Sequence, residues 1–153
     1  MRWYRPVVKR AAMKSMQEVQ DEIIAEMAGL DETLARYEYL VAQGRALRVP
    51  DPGIRSTAHV VAGCQVSVWV KAELKAGRLH LAADSDALIN KGIVALLLRV
   101  LDGRTPAEIM TADLYFLDRS GLRTHLSPAR ANGLAAVVER IRAYAAESSF
   151  AML

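Results

Sequence analysis

A single cysteine, Cys64, stands in the segment VAGCQVSVWV (61–70), directly after Gly63 and ahead of an alternating apolar and polar run. Three uses are open to such a thiol. It can fill a core as a small hydrophobe, attack an electrophile as a thiolate, or carry a group that another protein supplies. Gly63 favours a turn, which sets the sulfur at a connection, where reactive groups are over-represented. Reactivity further needs a helix N-terminus or a cation to lower the thiol pKa. The candidate bases are His59, His80 and His125. The first two fall in strand-like segments and read as structural. His125, just before Ser127, is placed to approach a site, and with Cys64 and Asp84 or Asp86 it would compose a cysteine-dependent hydrolase or transferase. No cysteine-hydrolase signature surrounds Cys64, however. Asp84-Ser85-Asp86 also reads as a helix cap with dipole-complementing acids. Lys91 and Arg130 read equally as solvated charges. Trp69, on the polar face of its strand, either covers a helix or anchors a partner.

The elements that must position these residues follow from period and punctuation. QEVQDEIIAEMAGL (17–30) has Val19, Ile23 and Met27 at four-residue spacing and reads as an amphipathic helix. Asp31 is positioned to cap a second helix with Leu34, Tyr37, Leu40 and Val41 on one face. RVPDPGIRST breaks the pattern as a loop. The period then becomes two, with Val66, Val68, Val70 and Ala72 on one side, a turn at Lys75–Gly77, and Leu79 and Leu81 inward on a second strand. HVV (59–61) reads as a third, short strand. DSDALINKGIVALLLRVLDG is apolar nearly all round, as a central helix would be, with Asp84 or Ser85 capping its start and Gly103 ending it. Thr105-Pro106-Ala107-Glu108 is a capping box, and Ser127-Pro128 opens a last helix with Leu134, Val137, Val138, Ile141 and Tyr144. The class is α+β: a small antiparallel three-stranded sheet packed against several helices. Val60, Val61 and Val66 are placed to shelter the thiol.

Composition bounds the function. The 153 residues suit one domain with a real core, and 52% hydrophobic with 24% charged residues is a globular balance. No apolar run reaches the roughly 18–20 residues that span a bilayer. One cysteine excludes an internal disulfide and a multi-cysteine metal site within one chain. The net charge of +3 is concentrated in residues 1–20, which hold five basic groups against Glu18 and leave the rest near neutral. That distribution suits a basic extension over 1–16 and a single domain over 17–153, not a nucleic-acid-binding face. No apolar stretch of a secretory signal follows the arm. The expected location is the cytoplasm, with the arm leaving organellar targeting open.

GCQVSVWV (63–70), DSDALINKGIVALLL (84–98), TPAEI (105–109) and HLSPARANGL (125–134), in this order, resemble the SufE-type cysteine desulfuration proteins from about residue 30 to residue 145. The resemblance implies a fold like that of SufE and the cluster scaffold IscU. It implies a non-enzymatic role, as sulfur acceptor and activator for a PLP-dependent, SufS-like cysteine desulfurase, with delivery to iron–sulfur cluster assembly and a SufBCD-type scaffold as recipient. Carried over, Cys64 is the persulfide-bearing nucleophile. Gly63, Gln65, Asp84, Asp86, Lys91, His125 and Arg130 fall at motif positions facing the partner. It implies no cofactor and no metal of the chain's own, and neither a nucleic-acid nor a membrane partner. A lone thiolate suffices for exchange at sulfur, whereas a second cysteine nearby would resolve the persulfide and release its sulfur.

Overall fold

Ser15 opens a helix with a reciprocal cap: its hydroxyl accepts from the Glu18 amide at 3.0 Å, and the Glu18 carboxylate accepts from the Ser15 amide at 3.2 Å. The computed structural model describes residues 13–48 and 51–151. Most of the expected basic arm therefore lies outside the described residues. Helix α1 (Met16–Met27) is followed by α2 (Thr33–Ala46), a 3-10 turn (Pro52–Ile54), β1 (Val68–Lys75) and β2 (Arg78–Ser85). Then come α3 (Leu88–Leu101), α4 (Pro106–Thr111), α5 (Phe116–Arg119), a 3-10 turn (Arg123–His125) and α6 (Pro128–Ala151).

The centre is α3, buried from Gly92 through Leu98 and again at Val100 and Leu101. It packs on α2, β2, α1 and α6, which is why its sequence lacks a polar face. Truncating Leu96 or Leu97, both fully buried, would cost about 2–5 kcal/mol. Against α2 the approach is backbone to backbone. A Cβ on Gly92 would lie 2.0 Å from the Leu40 carbonyl oxygen, and one on Gly44 would lie 3.0 Å from the Gly92 nitrogen. The inner face of α2 is therefore Leu40 and Gly44, while the expected face residues Leu34 and Tyr37 are exposed. Asp31 is not the cap either: Glu32 occupies that position without a side-chain bond.

The sheet has two strands, not three. β1 and β2 pair antiparallel, with Trp69 opposite Asp84 and Lys75 opposite Arg78. Ala76 and Gly77 turn the hairpin with φ of 52° and 75°, the paired positive values that match strand twist. The expected third strand at 59–61 makes only an isolated bridge, Val60 to Trp69. Two backbone bonds hold it, Val61 N to Val68 O at 2.8 Å and Val70 N to His59 O at 2.9 Å, before Gly63 at φ 91° redirects the chain. Val66, expected inward on β1, precedes the strand. Asp84 and Ser85 close β2 and do not cap α3, which starts at Leu88 after Ala87.

The other punctuation is as expected. Thr105 forms its capping box with Glu108 and has Pro106 in first position. Gly103, at φ 78°, follows the α3 cap Asp102. Ser127 accepts from the Arg130 amide at 3.3 Å as α6 begins. On the helical side, Arg99 of α3 donates to both Glu26 carboxylate oxygens at 2.8 and 2.9 Å and to Gln43 at 3.1 Å, joining α1, α2 and α3. Among the described residues no helix is long and apolar enough to cross a membrane.

Candidate functional site

Cys64 sits in the loop between the Val60 bridge and β1, half-buried at a cleft between α3 and α6. Each helix lines the cleft with the spacing of a single face. Asn90, Ile93, Val94 and Leu97 come from α3; Arg130, Gly133, Leu134 and Val137 come from α6. Val68 adds the floor from β1, and the cleft measures about 260 Å³ with its open mouth. The thiol donates to the Gly133 carbonyl at 3.7 Å. A Cβ on Gly133 would stand 3.6 Å from Sγ, so the glycine leaves free the space just beyond the sulfur.

The thiol is therefore sheltered, and of the three valines expected to cover it only Val61 is buried, in the core cluster against which Cys64 packs. Val60 is itself 40% exposed and Val66 is only partly buried, while the helices α3 and α6 supply the walls. Burial pushes the Cys64 thiol above its ordinary pKa. Burial thus favours the thiol over the thiolate at this site. Arg130 is on the rim, its guanidinium 5.9 Å over the Tyr37 ring.

Beside this cleft lies a charged cluster. Asp84, only 5% exposed, receives Arg55 Nε at 2.8 Å, and Lys91 Nζ is 3.4 Å away. Burial by itself would raise the Asp84 carboxyl, but the hydrogen bonds from Arg55 and the Ser85 amide, with Lys91 nearby, hold it below its ordinary value. Exposed Asp86 receives Arg55 Nη1 at 2.6 Å. The Arg55 guanidinium also lies 4.7 Å over Trp69, so an arginine faces the outward tryptophan.

The structure brings Cys64 and Arg130 to one cleft and joins Asp84, Asp86 and Lys91 in one cluster. Gly63 and Gln65 flank the thiol on the exposed loop. His125 is separate. It is exposed, its ring lies against Gly121, and it does not line the cleft. The Cys64–His125 hydrolase arrangement is thus not assembled in this structure. His59 has the structural role expected, its Nδ1 within 3.1 Å of both Ser56 Oγ and the Ile54 carbonyl. Asn90 and Arg55 were not singled out from the sequence. The signal for Asn90 was available, since it is the polar member of the face shared with Ile93, Val94 and Leu97. Among the described residues no group of three or more His, Cys, Asp or Glu side chains could hold a metal ion.

The chain is similar to known proteins in sequence and in fold. A protein-family model described as "SufE: Fe-S metabolism associated domain" matches residues 21–145. An uncharacterized SufE-like protein of Rhizobium meliloti is 35% identical over 130 residues, covering 82% of this chain and 93% of that one. An uncharacterized SufE-like protein of Synechocystis is 40% identical over 98 residues, 64% of this chain; the match spans 62% of that relative's length. Among solved structures, the solution structure of a hypothetical protein from Thermus thermophilus superposes with a TM-score of 0.70 at 21% identity. That superposition covers 88% of this chain and 96% of the other, and it supports the fold.

Proposed function

This chain belongs to the SufE family, a family of iron–sulfur metabolism, and from that premise we propose that it is a sulfur acceptor whose carrier atom is Sγ of Cys64. The donor is the persulfide of a PLP-dependent, SufS-like cysteine desulfurase, and the PLP belongs to that partner. The recipient is iron–sulfur cluster assembly, with a SufBCD-type scaffold as the next station. The observation that carries this reading is the placement of the lone thiol: on a loop, half-buried, at the mouth of a cleft lined by two helices.

The step balances without an added oxidant or reductant. The Cys64 thiolate attacks the outer sulfur of the donor persulfide, the sulfur–sulfur bond of the donor breaks, and the donor cysteine leaves as thiolate. Cys64 then carries the persulfide, and the space left by Gly133 lies where its outer sulfur can rest. Exposed Asp86 and rim residue Arg130, with Gly63 and Gln65 on the loop, are the surface offered to the partner. Asp84 and Lys91 act from beneath it, since Asp84 is buried and paired.

Incubation with a desulfurase and cysteine, followed by mass spectrometry, tests the reading. Cys64 should gain the mass of one sulfur atom. Cys64→Ser should keep its circular dichroism and lose both the adduct and the stimulation of the desulfurase. Stimulation retained by the serine variant would overturn the assignment.

A further inference from the structure

The charged cluster beside the cleft has no part in the sulfur step itself, yet it meets the Cys64 loop at both ends. Arg55 opens the segment 55–67, and its guanidinium binds Asp84 and Asp86 at 2.8 and 2.6 Å. Ser67 closes the segment, and its carbonyl accepts from the Asp86 amide at 3.2 Å and from Ser85 Oγ at 2.9 Å. One tripeptide, Asp84-Ser85-Asp86, thus grips the beginning and the end of the loop that carries the sulfur. Between the grips the chain is also tied to β1 by the two backbone bonds of the Val60 bridge and by buried Val61, which leaves residues 62–66 as the looser part, with Gly63 in the left-handed region and the thiol tied to α6 by the long 3.7 Å contact with the Gly133 carbonyl.

The grip is asymmetric. Asp84 has a side chain 6% exposed and needs a compensating charge, while the Arg55 side chain is 45% exposed and reaches it from the solvent side. Such a pair can be opened from outside without disturbing the core beneath. Asp86, 53% exposed, is the point at which a docking surface would first meet it. From this geometry we propose that Arg55 is a positioning residue for Cys64: its clasp on Asp84 and Asp86 holds the 55–67 loop down on the α3–α6 cleft, and releasing it frees the sulfur to leave the cleft. The clasp is a property of the chain alone; its consequence for sulfur uptake rests on the acceptor reading above.

The test is the rate at which iodoacetamide alkylates Cys64 in the whole protein without partner, well below the melting temperature. Arg55→Gln should be alkylated several-fold faster than wild type. Arg55→Lys should fall between, because a lysine keeps the charge but not the fork that spans two carboxylates and stacks on Trp69. Salt near 1 M should accelerate wild type and leave Arg55→Gln unchanged, since exposed pairs are screened. A merely structural arginine would lower the melting temperature and leave the alkylation rate where it was, and that result overturns the proposal. Should Arg55→Gln fail to fold, Asp86→Asn removes only the exposed partner and should give a smaller acceleration; no acceleration there would overturn the clasp as well. Faster alkylation of Arg55→Gln, with no sulfur taken up by wild type from a desulfurase, would leave the clasp standing and overturn the acceptor reading.

Discussion

Arg99 and Arg55 are chemically similar clamps that hold different kinds of structure. Arg99 binds Glu26 through both carboxylate oxygens and adds Gln43, joining three helices whose backbones are already satisfied and whose inner faces, Ile23, Met27, Leu40 and Leu96, are buried. Arg55 binds two acids that lie at the end of β2 and just beyond it, and so ties the start of a loop, not a packed helix, to the sheet. The lesson is that an ion pair acts on whatever is free to move. On packed helices its loss appears as reduced global stability; on a loop it appears as local opening.

The largest effect expected on the helical side comes from the helix crossing and not from Arg99. Gly92→Ala places a methyl group against the Leu40 carbonyl, 2.0 Å away before relaxation, so α2 must move off α3. A cost of about 3 kcal/mol, at the upper end for overpacking, is expected in denaturant titrations. An unchanged midpoint would mean that the two helices are not held in this close crossing.

Arg99→Gln comes next, at about 1–2 kcal/mol for lost charge-assisted bonds at a partly buried site. For a chain of this size that is a fall of several degrees in the melting temperature. Alkylation of Cys64 should be untouched. If instead it accelerates as much as in Arg55→Gln, the two clamps are not separate and the comparison fails.

A smaller effect is expected in acid. The hydrogen bond from Arg99 is the main reason that the Glu26 carboxyl is held below its ordinary value. A carboxylate lowered in the folded state stabilises the fold above its unfolded pKa, about 4.3, and that contribution is lost as pH falls through the folded value. Wild type and Arg99→Gln should therefore differ near neutral pH and converge below about pH 4 in thermal melts. A difference that persists at pH 2 would mean that Arg99 acts through packing of its stem.

The smallest shift concerns the thiol. Because burial raises Cys64, the midpoint of its alkylation rate against pH should lie above the ordinary value of about 8.5. Opening the loop with Arg55→Gln should move it back. A midpoint below the ordinary value in wild type would show an activating cation at the free site.

Much of this architecture is legible in the residues. The all-round apolar α3, the face of α6 and the turn at Ala76-Gly77 are local patterns, and they fold as those patterns require. The face of α2 is not legible from hydrophobic spacing. Its contact is made through Gly44 and Gly92, and small residues register as gaps in such a pattern. The short segment at 59–61 has strand composition, but two backbone bonds do not extend into a strand. At the site, the motif residues were visible as a set, while Arg55 was not. It sits in a loop broken by proline and glycine, and its buried partner Asp84 is 29 positions away in the chain.

The half-buried position of Cys64 also bears on oxidative damage. Peroxide attacks thiolates, and the sulfenic acid that results is commonly rescued by condensing with another thiol. This chain has one cysteine, so no second thiol for that rescue can come from within it. Burial, which disfavours the thiolate, works against the first oxidation, the step from which an isolated chain has no disulfide route back. The cleft between α3 and α6 thereby bears on the lifetime of the thiol as well as on its reactivity.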